Sequence, residues 1–111
     1  MLFRSLVVCT GGLGPTADDV TREAVARALG LTLDMNHEIE ETIRARFAAR
    51  GLAMAAINAR QAMVPRGAVV LENRRGTAPG LCLAHGRTTV VLLPGPPREM
   101  APMLDDFIEH Q

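Results

Sequence analysis

A short apolar run, Leu6 to Cys9, passes directly into a turn built on Gly11, Gly12 and Gly14, and the turn leads into a stretch that opens on two adjacent carboxylates, Asp18 and Asp19. No other feature of the chain restricts its fold as tightly. A Val-rich run of this length suits a buried parallel strand. From Ala17 the pattern becomes helical, with Val20, Ala24 and Ala28 spaced along one face and Gly30 following as a stop. Strand, glycine turn and helix make half of a βαβ unit, and the free N–H groups at such a helix start favour an anion. Paired acids there repel a phosphate unless a cation lies between them. Residues 10–21 therefore point to a metal-assisted phosphate or pyrophosphate site.

The rest of the chain continues the alternation. Leu31 to Leu33 is a brief apolar run, after which Asp34 or Asn36 can cap a helix carrying Ile39, Ile43 and Phe47 on one face, ended by Gly51. Ala53 to Met63 reads as short helical or irregular structure. Pro65 and Gly67 mark a turn into a Val-rich strand, Ala68 to Leu71, and Asn73 to Gly80 is a polar loop. Leu81 to Ala84 and Thr88 to Leu93 flank His85, Gly86 and Arg87 as a hairpin. Pro97 then starts a last helix with Met100, Met103, Leu104, Phe107 and Ile108 facing inward. The pattern predicts one α/β domain with a mainly parallel sheet and an antiparallel edge hairpin.

Composition removes several function classes. The chain has 111 residues, enough for one domain, and a mean hydropathy of +0.13. No apolar run approaches the roughly 18 residues that span a bilayer, and Met1 to Val8 is too short for a signal peptide, so a cytoplasmic location without membrane partners is expected. Twelve basic residues, all Arg, balance twelve acidic ones, and three Phe with no Trp or Tyr leave no stacking platform, which argues against nucleic acid. Cys9 and Cys82 lie in separate apolar runs and read as buried thiols. His37, His85 and His110 share no ligand spacing, so zinc has no support.

Alternatives compete for each turn. Thr16 to Asp19 has capping-box spacing, which by itself explains the acids as well as catalysis does. A cap needs one turn residue, however, and the three glycines strip side chains from the whole approach, as backbone access to a ligand requires. Gly12 to Ala17 also fits the dinucleotide pattern, with Asp34 in the place of a ribose-binding acid. Its second strand is barely a strand, and the twin carboxylates would crowd a bare pyrophosphate. A Walker loop is excluded because the chain has no Lys. The loop Asn73 to Gly80 brings an amide, two guanidinium groups and the Thr77 hydroxyl, but taken alone it is an ordinary solvated turn. Leu93 to Met100 is a further strand-to-helix turn with Pro94, Gly95 and Glu99, and such turns share the carboxyl edge of a parallel sheet, where ligands bind. His85 reads as a hairpin-tip residue, and Met100 with Met103 reads as core.

Taken together, Thr10 to Thr21, Asn73 to Gly80 and Leu93 to Met100, with Asn58, Gln61, Ala62, Pro65, Gly67 and Ala68 between them, resemble the N-terminal domain of the competence/damage-inducible CinA proteins, within the molybdopterin-binding (MoaB/Mog-like) family. The resemblance covers nearly the whole chain. It implies a three-layer α/β/α sandwich whose glycine turn holds a phosphate. In the CinA branch the implied activity is divalent-metal-dependent (Mg or Co) cleavage of the pyrophosphate in ADP-ribose and related nucleotides. In the molybdopterin branch the ligand is a pterin phosphate, bound without turnover.

Residue by residue, the family's essential acid falls on Asp19, with Asp18 as the additional acid of the CinA branch; both are the expected metal ligands and catalytic groups. Gly11, Gly12 and Gly14 would admit the diphosphate, Thr16 and Thr21 would donate hydrogen bonds, and Asn73, Gly76, Thr77 and Gly80 would close over the ligand beside Pro94, Gly95 and Glu99. The family domain starts with a strand bearing Gly-Thr-Glu, then a helix, strand and helix, before the region matched here, so the chain is expected to correspond to the C-terminal part of an incomplete sandwich, without the CinA amidase domain. A sheet lacking those strands exposes an edge, and homo-oligomerisation is expected from it.

Overall fold

The computed structural model describes residues 5–110. Strand β1, Ser5–Thr10, runs parallel to β6, Thr88–Leu93; β6 pairs antiparallel with β5, Gly80–His85, and β5 with β4, Val69–Leu71, giving a four-stranded sheet in the order β1-β6-β5-β4. The sheet is thus mixed, with one parallel pairing, and the expected hairpin is its centre rather than its edge. The order follows from hydrophobicity. Strand β6 is apolar at every position from Val90 to Leu93, and all four are buried, as only an inner strand covered on both faces requires.

Alternation along β6 splits the core into two layers. Val90 and Leu92, paired across the hairpin with Leu83 and Leu81, face a cluster containing Ile39 and Ile43 of helix α2, His37–Ala49. Val91 and Leu93 face Met103 and Phe107 of helix α3, Pro97–Glu109, on the opposite side. Helix α1, Thr21–Ala28, joins the α2 side through Val25. Helices on both faces make the three layers of an α/β/α sandwich. Asn36 caps α2, its side chain accepting the Ile39 N–H at 3.0 Å, and Pro97 opens α3 as expected.

Four local expectations are corrected. Strand β1 is parallel but not buried: Leu6, Val7 and Val8 are 56%, 44% and 40% exposed, because among the described residues the strand has a neighbour on one side only. Helix α1 begins at Thr21 rather than Ala17, and its N-cap position, Val20, makes no side-chain cap. The brief run after Gly30 becomes β2, Leu33–Met35, which leaves the main sheet to pair with β3, Met63–Pro65, in a two-stranded ribbon. A 3₁₀ segment, Ala56–Ala62, leads into β3. Cys9 and Cys82 are free and only half-buried, and burial pushes the Cys82 thiol up from its ordinary range.

Candidate functional site

The β1–α1 turn and the β6–α3 turn meet backbone to backbone. The Gly11 N–H donates to the Leu93 carbonyl at 2.9 Å, and a Cβ on Gly95 would lie 3.2 Å from the Gly11 Cα, so a side chain at Gly95 would press on the opposite turn, while Gly11 is favoured by its own φ of +88°. Gly12, with φ +73°, folds the turn back so that its carbonyl accepts the Thr21 N–H at 3.2 Å. That bond fixes where α1 starts.

Between Gly14 and α1 the chain makes a closed turn of its own. The Asp19 carboxylate accepts the Thr16 N–H at 3.0 Å and the Thr16 hydroxyl at 2.6 Å, both on Oδ2, while the Asp19 N–H donates to the Thr16 carbonyl. Only the bond from the Thr16 N–H to the Asp19 carboxylate is a capping-box bond; the Thr16 hydroxyl donates to that carboxylate instead of accepting the Asp19 N–H, and no helix follows directly. The Thr16 hydroxyl holds the Asp19 carboxyl below the usual carboxylate range, helped by the Thr16 and Gly14 N–H groups and the Arg60 charge and opposed by partial burial. Asp19 is therefore anionic at neutral pH. Arg60, in the 3₁₀ segment, fastens the turn from outside, donating to the Thr16 carbonyl at 2.6 Å and reaching Glu23 at 3.2 Å. Arg22 fastens it from beneath: fully buried, it donates to the Leu13 carbonyl at 2.8 Å.

The loop after β4 is tied to two helices. Asn73 donates to the Ala78 carbonyl and to Glu99 Oε1, each at 2.8 Å, joining the loop to the first turn of α3. Arg75 donates to the Arg98 carbonyl at 3.0 Å. That carbonyl lies one helical step below Pro102, which has no N–H to offer it, so the proline inside α3 frees an acceptor that the loop occupies. From α2, Arg46 donates to the carbonyls of Asn73 and Gly76.

These three turns surround a cavity of about 530 Å³. Of the residues expected at the site, Gly11, Gly12, Gly14, Asp19, Gly76, Thr77, Pro94, Gly95 and Glu99 line it. Thr16, Asp18, Thr21, Asn73 and Gly80 do not. Thr16, Thr21 and Asn73 brace the lining groups through the bonds above, Gly80 sits in β5 opposite Leu71, and Asp18 is exposed. Asp34 is equally remote: it pairs with Arg66 at 3.3 Å on the separate ribbon, which removes the dinucleotide reading. Sequence reasoning missed Arg46, Arg50, Arg98 and Gln61, all of which line the cavity. One signal was available for Arg46, which falls seven residues after Ile39, on the face of α2 that carries Ile43 and Phe47. With Arg75, four arginines share the lining with the acidic residues Asp19 and Glu99.

A family model, described as a probable molybdopterin binding domain, matches residues 2–111. The chain belongs to this family. Among curated members, a CinA-like protein of Solibacter usitatus is 52% identical over 101 residues, covering 91% of this chain and 24% of the relative. A CinA-like protein of Akkermansia muciniphila is 48% identical over 105 residues, 93% of this chain and 25% of its own length. The chain thus spans about a quarter of the curated relatives it matches. The crystal structure of the protein CinA from Thermoplasma acidophilum superposes with a TM-score of 0.85 at 35% identity, covering 96% of this chain and 62% of the other. The molybdopterin-binding-like fold of the CinA domains, a mixed sheet between helices, is therefore the fold of this chain.

Proposed function

We propose that this domain binds the diphosphate of a nucleotide and, with a divalent metal, hydrolyses its pyrophosphate bond, ADP-ribose being the model substrate. The observation that carries this reading is the cavity lining, in which glycine backbone and four arginines share one space, an arrangement suited to a polyanion. Gly11, Gly12 and Gly14 let phosphate oxygens approach the main chain, and the guanidinium groups neutralise their charge. Thr77 and Glu99 complete the polar lining.

A metal fits this site in one manner. Among the described residues no three His, Cys, Asp or Glu side chains are grouped to hold an ion unaided. Mg²⁺ is commonly held by one or two carboxylates together with substrate phosphates, and Asp19, anionic and facing the cavity, meets that requirement. When bound there, an ion supplies Lewis-acid polarisation of a phosphoryl oxygen. Asp19 would also orient the attacking water, and the closed Thr16–Asp19 turn keeps its carboxylate in place. ADP-ribose turnover with Mg²⁺ or Co²⁺ tests the reading, which fails if formation of AMP and ribose 5-phosphate does not exceed the protein-free rate.

One observation favours a second reading, metal-independent binding of a pterin phosphate such as molybdopterin without turnover. Asp18 lies outside the cavity, so the acid pair of the CinA branch is not assembled as a pair. Binding unaffected by chelator, with no product formed, supports that alternative.

We further propose that the chain self-associates through β1. Among the described residues its outer edge has no strand beside it, and Leu6, Val7 and Val8 are exposed, an apolar row that soluble sheets otherwise cover or charge. Sedimentation should show the weight-average mass rising with concentration, and Val7→Lys should abolish the rise. A monomer over the whole concentration range contradicts this.

A further inference from the structure

We infer that Arg22, which does not line the cavity, is a positioning residue of the site: it fixes the Leu13–Gly14 peptide and, through that peptide, the Asp19 carboxylate. This role rests on the phosphate-site reading above and names the group that holds Asp19 in its working place. Arg22 is 1% exposed, and its Nη2 donates to the Leu13 carbonyl at 2.8 Å. Its Nε and Nη1 have no hydrogen-bond partner among the described residues, and Nη1 comes only within 3.8 Å of Glu23 Oε1. A guanidinium taken out of water with most of its N–H groups unpaired costs stability that an apolar side chain of like length would not. Packing therefore does not explain an arginine at this position.

Peptide geometry shows what the arginine does. The Leu13–Gly14 peptide is trans, so its C=O and N–H point in opposite directions. With the carbonyl held toward the core by buried Arg22, the Gly14 N–H is turned the other way, to the side of Asp19. Two observations agree with that direction. A Cβ on Gly14 would come within 2.7 Å of Asp19 Oδ2, so the carboxylate lies directly against this residue. The Gly14 N–H is also among the groups that keep Asp19 anionic. Glycine would otherwise let the peptide swing, and a cation on its carbonyl makes the N–H of the same unit a stronger donor. Arg22 thus acts on Asp19 across one peptide, without entering the cavity.

The test compares wild type with Arg22→Met, which keeps the stem and removes charge and donors, and Arg22→Lys, which keeps the charge and a donor for this single contact. Two readouts are taken: the Gly14 amide proton shift in the ligand-free domain, and kcat and KM for ADP-ribose with Mg²⁺. In Arg22→Met the Gly14 proton is expected to move upfield and kcat to fall about tenfold, the size of one hydrogen bond to a charged group, while KM, set by the cavity arginines, changes little. Arg22→Lys should restore most of both. Ile43→Val is the reference for plain destabilisation: it trims a fully buried core residue, lowers Tm and should move neither readout. A Gly14 proton unmoved in Arg22→Met, a loss confined to KM, or the same shift and kcat loss in Ile43→Val overturns the inference. Should Arg22→Met not fold, wild type decides: a slowly exchanging, downfield Gly14 amide supports the role, and one at its random-coil shift overturns it. Wild type without ADP-ribose turnover removes the phosphate-site reading, and the Gly14 amide still decides the role of Arg22.

Discussion

Gly12→Ala will destabilise the domain by about 2–3 kcal/mol and abolish ligand binding, while Gly30→Ala will cost only about 1 kcal/mol and leave binding intact. The two glycines have nearly the same backbone, φ +73° and +69°. Both substitutions therefore place an L-residue in the left-handed region, at similar cost. They differ in surroundings: a Cβ at Gly30 meets nothing within 4 Å, whereas one at Gly12 runs into the Thr21 side chain. Thr21 opens α1 and donates its N–H to the Gly12 carbonyl, so the collision cannot be relieved without moving the helix start or the turn. Either movement displaces the wall that Gly11, Gly12 and Gly14 form. For a domain of this size Tm should fall by about 4–8 °C for Gly30→Ala and roughly twice that or more for Gly12→Ala. Equal shifts would mean that the packing of Thr21 on the turn does not hold it.

Asp19→Asn is expected to reduce metal-dependent ADP-ribose turnover by about 100-fold or more, with little change in Tm. Asn retains a carbonyl oxygen in place of Oδ2 and so keeps the Thr16 hydroxyl and N–H as donors. The turn stays closed, and the negative charge is what is lost. Because the Thr16 hydroxyl keeps the native carboxyl ionised to below its ordinary pKa, wild-type activity should not fall with protonation of Asp19 anywhere near neutral pH. Asp18→Asn is the natural comparison. Asp18 is exposed and lies outside the cavity lining, so its substitution should change turnover by less than a few-fold. Equal losses for the two variants would restore the pair as a unit, and equal rates in Asp19→Asn and wild type would remove Asp19 from the chemistry.

What the sequence revealed and what it concealed have physical causes. The hairpin, the cap of α2 narrowed to Asp34 or Asn36, the Pro97 helix start and the convergence of the β1–α1 and β6–α3 turns were legible because each is set by local rules of period, cap and turn chemistry. Strand exposure was not, since Leu6 to Cys9 reads the same whether a strand has one neighbour or two. Helix α1 was drawn too long because Thr16 and Asp19 have the spacing of a capping box, and spacing does not reveal that their bonds close a turn before the helix begins. The cationic wall was the largest omission. Arg46 and Arg98 come from helices far apart in the chain, and apart from the place of Arg46 on the apolar face of α2 nothing local distinguishes these arginines, Arg50 included, from those on a solvated face.

Amide chemical-shift mapping with ADP-ribose, pyrophosphate as its reference, addresses the central claim most directly: that the three turns form one phosphate-binding cavity. The account predicts saturable shifts at Gly11, Gly12, Gly14, Gly76, Thr77 and Gly95, residues drawn from all three turns that line the same space. Shifts absent at saturating ligand, or confined to the ribbon of β2 and β3, would contradict it.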